Sequence, residues 1–272
     1  MKSIKICIGL LMISLIPFVA NAQAPGYLGK HFLINYEFYT MPALSNPNIN
    51  GKSGITSLNT RHAVSVDWVT GLRQSVGLSF HYTKSQFKFD KNLQYNLKYL
   101  DYSGEAHETM ETMNYGDTKG DLTAYAIGLH TNLYFNQYIA PLGTYFKPEI
   151  LLVIMNVSYD SSQANQNLRA NTLNQYGNPS GPVLSNDSPY LTAAIGATIG
   201  THYIFFNRVV FDIGFQFGIM YAENLIGHLM KDGPELVQGK INEKNFLKVA
   251  AQNRLTGQYF LNVKAGLGIL IF

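Results

Sequence analysis

Between Tyr27 and Phe272 the chain alternates apolar and polar side chains in eight stretches, and the segments joining them alternate between long and short. A β-strand turns successive side chains to opposite faces, so such alternation means that one face meets apolar surroundings and the other polar ones. In the first stretch Phe32, Ile34, Tyr36 and Phe38 oppose His31, Asn35 and Glu37. In the second, Val64, Val66 and Trp68 oppose Arg61, Ser65 and Asp67, and in the third Val76, Leu78, Phe80 and Tyr82 oppose Ser75, Gly77, Ser79 and His81. The fourth sets Tyr125, Ile127, Leu129 and Leu133 against Ala126, Gly128, His130 and Asn132. The sixth sets Leu191, Ile195, Ile199, Tyr203 and Phe205 against Thr192, Gly196, Thr198, Gly200 and His202. The seventh sets Phe211, Ile213, Phe215, Phe217 and Ile219 against Asp212, Gly214, Gln216 and Gly218. The last sets Tyr259, Leu261, Val263, Leu267, Ile269 and Ile271 against Asn262, Lys264, Gly266 and Gly268.

The fifth stretch, Thr144 to Tyr159, is the least regular. Phe146, Ile150, Leu152 and Ile154 suit the apolar side and Lys147 and Glu149 the polar one, but Leu151, Val153 and Met155 then share the polar side. Pro148 has no N–H for a ladder, so it is expected near a strand start or a bulge.

The polar faces are rich in Gly, Ser, Thr and Ala, as the lumen of a barrel of about eight strands requires, since it has room only for side chains. The pattern predicts an all-β fold: an eight-stranded antiparallel up-and-down transmembrane β-barrel. Short links fall around Gly71, Pro141 and Asn207, and become periplasmic turns. Long links run from Thr40 to Asn59, Phe89 to Gly120, Asp160 to Ser188 and Ala222 to Leu255, and become extracellular loops. Aromatic residues mark both ends, with Phe38, Tyr82, Tyr125, Tyr159, Tyr190, Tyr221 and Tyr259 toward the long loops. Trp68, Phe135, Phe146, Phe205 and Phe272 lie toward the short turns, giving two interfacial belts. The competing reading is a soluble barrel whose apolar outside is buried in an oligomer. A soluble strand buries its apolar face inside its own barrel, whereas here the small polar face is the one that fits inside.

The first residues stand apart from this pattern. Lys2 and Lys5, the apolar run Ile6–Val19 and the small-residue box Ala20-Asn21-Ala22 form a secretory signal, so residues 1–22 are expected to leave and residues 23–272 to form the mature barrel domain from Gln23. Cys7 leaves with the signal, which removes disulfides, thiolate metal sites and cysteine nucleophiles from the mature chain. Formal charge is +3, two of it in the signal, so nothing in the charge calls for nucleic acid. Charged residues are only 14% of the chain, poor for a water-facing surface.

The signal ending in Ala22-Gln23-Ala24, the turn Ile139-Ala140-Pro141-Leu142-Gly143-Thr144-Tyr145 and the Gly-rich last strand ending in Phe272 together resemble the small outer-membrane β-barrel proteins of the Bacteroidota. The resemblance implies an outer-membrane location, outer-membrane lipid as the surrounding partner, and Phe272 as the carboxyl-terminal signal read by the barrel-insertion machinery. Strict alternation puts Phe272 on the Lys264 and Gly268 face, which calls for a terminal bulge or a rim position.

Inward His31, His81, His130 and His202 match no metal-ligand spacing and are expected to hydrogen-bond inside the lumen. Inward Glu37, Arg61, Asp67, Lys147, Glu149, Asp212 and Lys264 are expected to form a charge-compensated plug, because buried charges require partners. A three-residue turn, Phe206-Asn207-Arg208, would set His202 directly opposite Asp212. Lipid-modifying barrel enzymes use His with Ser and an acid, and no such set groups in this sequence; no cofactor motif is present either. In the last loop, Leu225, Ile226, Leu229 and Met230, and then Phe246, Leu247, Ala250 and Ala251, recur at helical spacing, predicting two short amphipathic helices that cover the barrel mouth or meet a partner, the first being favoured. The expected role is non-enzymatic, in envelope structure or interaction with a surface or outer-membrane protein. The alternatives are a subunit of a secretion or nutrient-uptake complex, a narrow transporter of small solutes, or a lipid-modifying enzyme.

Overall fold

The computed structural model describes residues 26–43, 48, 50, 52, 54–88, 93–100, 106–113, 119–135, 139–160, 188–220, 236–237, 240–241 and 246–271. The expected signal segment, the interior of the loop from Asp160 to Ser188, Tyr221, the Leu225–Met230 pattern and Phe272 lie outside the described residues.

In chain order the strands are β1 (Phe32–Ala43), β2 (Gly54–Gly71), β3 (Gln74–Lys88), β4 (Leu93–Leu100), β5 (Ala106–Met113), β6 (Lys119–Tyr134), β7 (Gly143–Tyr159), β8 (Tyr190–Phe205), β9 (Val209–Met220), β10 (Leu236–Val237), β11 (Lys240–Ile241) and β12 (Leu261–Ile271). A helix, α1 (Phe246–Phe260), runs directly into β12. Eight strands close into a barrel in the order β1-β12-β9-β8-β7-β6-β3-β2, while β4 with β5 and β10 with β11 form separate hairpins. Every barrel pairing is antiparallel, and β1 closes on β12 from Phe32↔Ile271 to Thr40↔Val263, so the sheet has no open edge.

Alternation along each strand sorts the side chains cleanly. On β9, Phe211, Ile213, Phe215, Phe217 and Ile219 are exposed on the outside, while Asp212 and Gln216 are fully buried inside. Trp68, Leu78, Ile127, Leu152, Leu191 and Leu267 continue the exposed apolar band around the barrel. On the polar side small residues make room for large ones. A Cβ at Gly200 would lie 2.6 Å from the Tyr145 hydroxyl and 3.0 Å from the carbonyl oxygen of Ile213. Gly200→Ala is therefore expected to cost about 1–3 kcal/mol, as overpacking does, measured by urea unfolding of the refolded barrel.

Several sequence expectations change. Tyr259, assigned to the outward face of the last strand and to an aromatic belt, belongs to α1 and is buried. The strand begins two residues later, because the spacing of Ala251, Leu255 and Tyr259 continues a helical face that packs inside the barrel. Tyr190, also assigned to a belt, opens β8 and points inward, since it has the opposite parity to exposed Leu191. The inward Leu151, Val153 and Met155 now have a reason: they pack with Leu122, Met220, Ala251, Leu255 and Tyr259 in one apolar cluster. Pro148 lies inside β7, paired with Ala197 on one side. On the other side the ladder to β6 skips from His130↔Glu149 to Leu133↔Phe146, sparing the residue that cannot donate. The β4–β5 hairpin occupies part of a link read from sequence as loop.

The short-turn end is closed by small contacts. In the turn between β8 and β9 the Arg208 N–H donates to the Phe205 carbonyl at 3.1 Å, with Phe206 and Asn207 in the left-handed region at φ 52° and 58°. Tyr27 and Lys30, ahead of β1, donate to Asn207 at 3.4 and 2.5 Å. Leu33, Val210 and Leu270 pack behind them, with Tyr27 and Ile204 against their edge.

Candidate functional site in the lumen

The barrel interior holds three stacked layers. The short-turn end is capped by Val69, Tyr134, Ala140 and Tyr145. The long-loop end is filled by α1 against the inward faces of β6 to β9. Between them lies a polar layer built by alternation from every part of the wall.

Glu37 is the hub of that layer. It accepts from Lys264 Nζ at 2.9 Å, Lys147 Nζ at 3.2 Å, Ser65 Oγ at 3.2 Å and the Tyr39 hydroxyl at 2.5 Å. Lys264 also reaches Asp212 Oδ2 at 2.6 Å and the Tyr145 oxygen at 2.9 Å, and Tyr145 donates to Asp212 Oδ1 at 2.8 Å. One ammonium thus joins two carboxylates drawn from strands on either side of β12. The register sets His202 opposite Asp212, with His202 Nε2 3.5 Å from Asp212 Oδ2 and His202 Nδ1 2.9 Å from the Pro141 carbonyl.

A second group surrounds Glu149. Its Oε1 accepts from Ser79 Oγ at 2.5 Å and faces His81 Nε2 at 3.2 Å, and His130 Nδ1 lies 3.7 Å away. His130 Nε2 meets Asp67 Oδ1 at 2.8 Å, which also accepts from Asn132 at 2.5 Å. Ser79, His81 and Glu149, far apart in sequence, are therefore brought together. They do not form a nucleophilic relay, because serine and carboxylate share His81 Nε2 instead of lying on opposite ring nitrogens, and all three are buried.

Arg61 departs from the expected charge pairing. Its guanidinium lies between the ring faces of Tyr39 and Tyr259, 4.1 and 4.0 Å from their centroids, and donates to the Gln216 side-chain oxygen. Gln216 in turn donates to Glu149 Oε2 at 3.5 Å, so an amide separates this cation from the acid. His31 stands half-buried just before β1, outside this network; its carbonyl accepts from Val69.

Sequence reasoning missed Tyr39, Tyr145, Gln216 and Arg254. The first three share strand parity with residues it did select, so the alternation rule alone reaches them. Arg254 belongs to α1, where its Nε donates to the Gln86 carbonyl at 2.8 Å and its Nη2 to Asn59 at 2.9 Å. Burial lowers its guanidinium to about 10, which leaves it cationic at neutral pH. Among the described residues the buried charges then balance, with Glu37, Asp67, Glu149 and Asp212 against Arg61, Lys147, Arg254 and Lys264. Among the described residues no group of three His, Cys, Asp or Glu side chains is arranged to hold a metal ion.

Fold and lumen together define a closed eight-stranded antiparallel β-barrel with an apolar exterior and a filled interior. No family model matches the chain, and no curated protein does. Among solved structures, Neisserial surface protein A is 11% identical, with 88% of this chain and 96% of that one covered and a TM-score of 0.36. The outer membrane protein OprG from Pseudomonas aeruginosa is 7% identical, covering 89% and 93%, with a TM-score of 0.37. A deletion mutant of the monoaromatic hydrocarbon channel TodX is 14% identical, covering 70% and 49%, with a TM-score of 0.27. At these scores the likenesses carry no argument, and the architecture rests on the strand pairing itself.

Proposed function

We propose that this chain is an integral outer-membrane β-barrel protein without catalytic activity, serving envelope structure or surface interaction. The observation that carries this reading is the division of faces. A continuous exposed apolar band surrounds a lumen of hydrogen-bonded charge, which is the arrangement that lipid outside and a closed strand ladder require. Residues 1–22 act as the export signal in this reading, and the long links face the cell exterior. Membership of the Bacteroidota barrel family is part of the proposal and is supported by the Ile139–Tyr145 turn and the Gly-rich last strand.

The filled lumen favours a structural or binding role over solute passage. The polar layer spans the barrel with side chains on one another, and α1 stops the end above it. Purified protein in a planar bilayer is expected to give no discrete conductance steps. On intact cells, a bulky label should reach cysteines placed between Asn165 and Pro182 but not one at Asn207. Steady ohmic channels would favour the transport reading, and labelling at Asn207 alone would invert the barrel.

A further inference from the structure

The turns at the short-link end of the barrel are tied together in pairs. The Tyr27 hydroxyl and the Lys30 ammonium donate to Asn207, joining the turn before β1 to the β8–β9 turn. The Ala140 N–H donates to the Leu72 carbonyl at 2.8 Å, joining the β2–β3 turn to the β6–β7 turn. Each pair holds two apolar side chains out from the fold: Leu28 and Phe206 in the first, Leu72 and Ile139 in the second. Leu28 and Phe206 both lie in the left-handed region at φ 52°, where bulky side chains are rare, and Phe206 is 92% exposed. Such strain persists where the surrounding structure enforces it, and here it keeps an aromatic ring at the tip of a turn.

Charge follows the same turns. Lys30, Arg73 and Arg208 stand within two residues of Leu28, Leu72 and Phe206; both arginines are exposed and the lysine is half-buried. Among the described residues this end carries no Asp or Glu outside the lumen. The long-loop end carries both signs, with exposed Lys84 on one side and exposed Asp121 and Asp160 on the other. Next to the cationic turns the outer face is aromatic, with Trp68 stacked on Phe32 and with Tyr203 and Phe205 exposed. The apolar tips thus prolong the outer band past the last strand residues, with positive charge beside them. Water gives an exposed ring nothing, whereas the boundary between acyl chains and headgroups accommodates ring and cation together.

We propose that this rim is a binding surface for anionic phospholipid, in which Lys30, Arg73 and Arg208 take the headgroup phosphates and the apolar tips seat among the nearest acyl carbons. The proposal deepens the outer-membrane reading and rests on it, since the surface meets lipid only if the barrel spans a membrane. A basic side chain at an anionic membrane surface contributes about fivefold to association, and salt screens the effect.

Trp68 reports on this rim directly, because it lies on the outer face between the Lys30 and Arg73 turns. The test refolds the full chain into phosphatidylcholine vesicles that carry a fixed minor share of lipid brominated in its acyl chains. That share is either phosphatidylglycerol or phosphatidylcholine. At low salt wild type should be quenched several-fold more effectively by the brominated phosphatidylglycerol, and the difference should shrink in high salt. Lys30→Gln combined with Arg208→Gln should remove most of the preference and Arg73→Gln part of it, while Lys84→Gln at the far end should leave it unchanged. If the double variant does not fold, Arg73→Gln and the salt series on wild type still decide. Equal quenching by the two lipids would overturn the proposal and leave the membrane-spanning reading intact. A preference that survives high salt or the loss of all three cations would also overturn it. Quenching by neither lipid would remove the membrane-spanning reading itself, and this surface with it.

Discussion

Lys264→Met is expected to destabilise the folded barrel by about 3–5 kcal/mol, the cost of removing one partner of a buried pair. The ammonium touches Glu37 at 2.9 Å and Asp212 at 2.6 Å, and both acids are buried. Glu37 keeps Lys147 when Lys264 is lost, whereas Asp212 keeps only the Tyr145 and Asn35 hydrogen bonds and the longer His202 contact. The damage should therefore fall chiefly on Asp212, and adding Asp212→Asn should recover part of it. Urea midpoints in vesicles, read from the mobility of unboiled samples on gels, give the measurement. An unchanged midpoint for Lys264→Met would mean that water reaches the layer and that the network does not hold the barrel together.

Leu152→Arg should be nearly as costly, at about 2–4 kcal/mol, if its face lies in hydrocarbon at mid-depth. Leu152 is 51% exposed and flanked along its row by Ile127 and, one repeat away, by Ile150 and Ile154. On a water-facing surface a substitution at such exposure stays within about 0.5 kcal/mol of neutral. The same urea series decides between the two, since the two expectations do not overlap. A neutral Leu152→Arg in a folded variant would mean that this face meets water, and would contradict the lipid-facing band.

The barrel was legible because its exterior repeats every second residue without a break. Phe211 to Ile219 needs only parity to be placed, and a three-residue turn at Phe206–Arg208 preserves that parity, so the His202–Asp212 register could be counted. The lumen was only half legible. Parity says which residues face inward but not which of them meet across the barrel, because that depends on strand stagger and on what else enters. Lys264 reaching both Glu37 and Asp212 follows from closure of β1 on β12, with no local signal in sequence. The irregular β7 was the clearest hint: Leu151, Val153 and Met155 on a polar face call for an apolar object inside, and Ala251, Leu255 and Tyr259 of α1 are that object. Tyr259 was misplaced because a helix that runs straight into a strand leaves no turn residue to mark the change.

The sole tryptophan offers the most direct test of the central claim, that the apolar band is immersed in lipid. Trp68 lies on the outer face of β2, 56% exposed and stacked on Phe32 with ring centroids 6.0 Å apart. Unmodified protein refolded into vesicles should show blue-shifted Trp68 emission, strongly quenched by lipids brominated along the acyl chain and little affected by aqueous iodide. Emission quenched by iodide and indifferent to brominated lipid would place the band in water or against protein, and would contradict the membrane-spanning barrel.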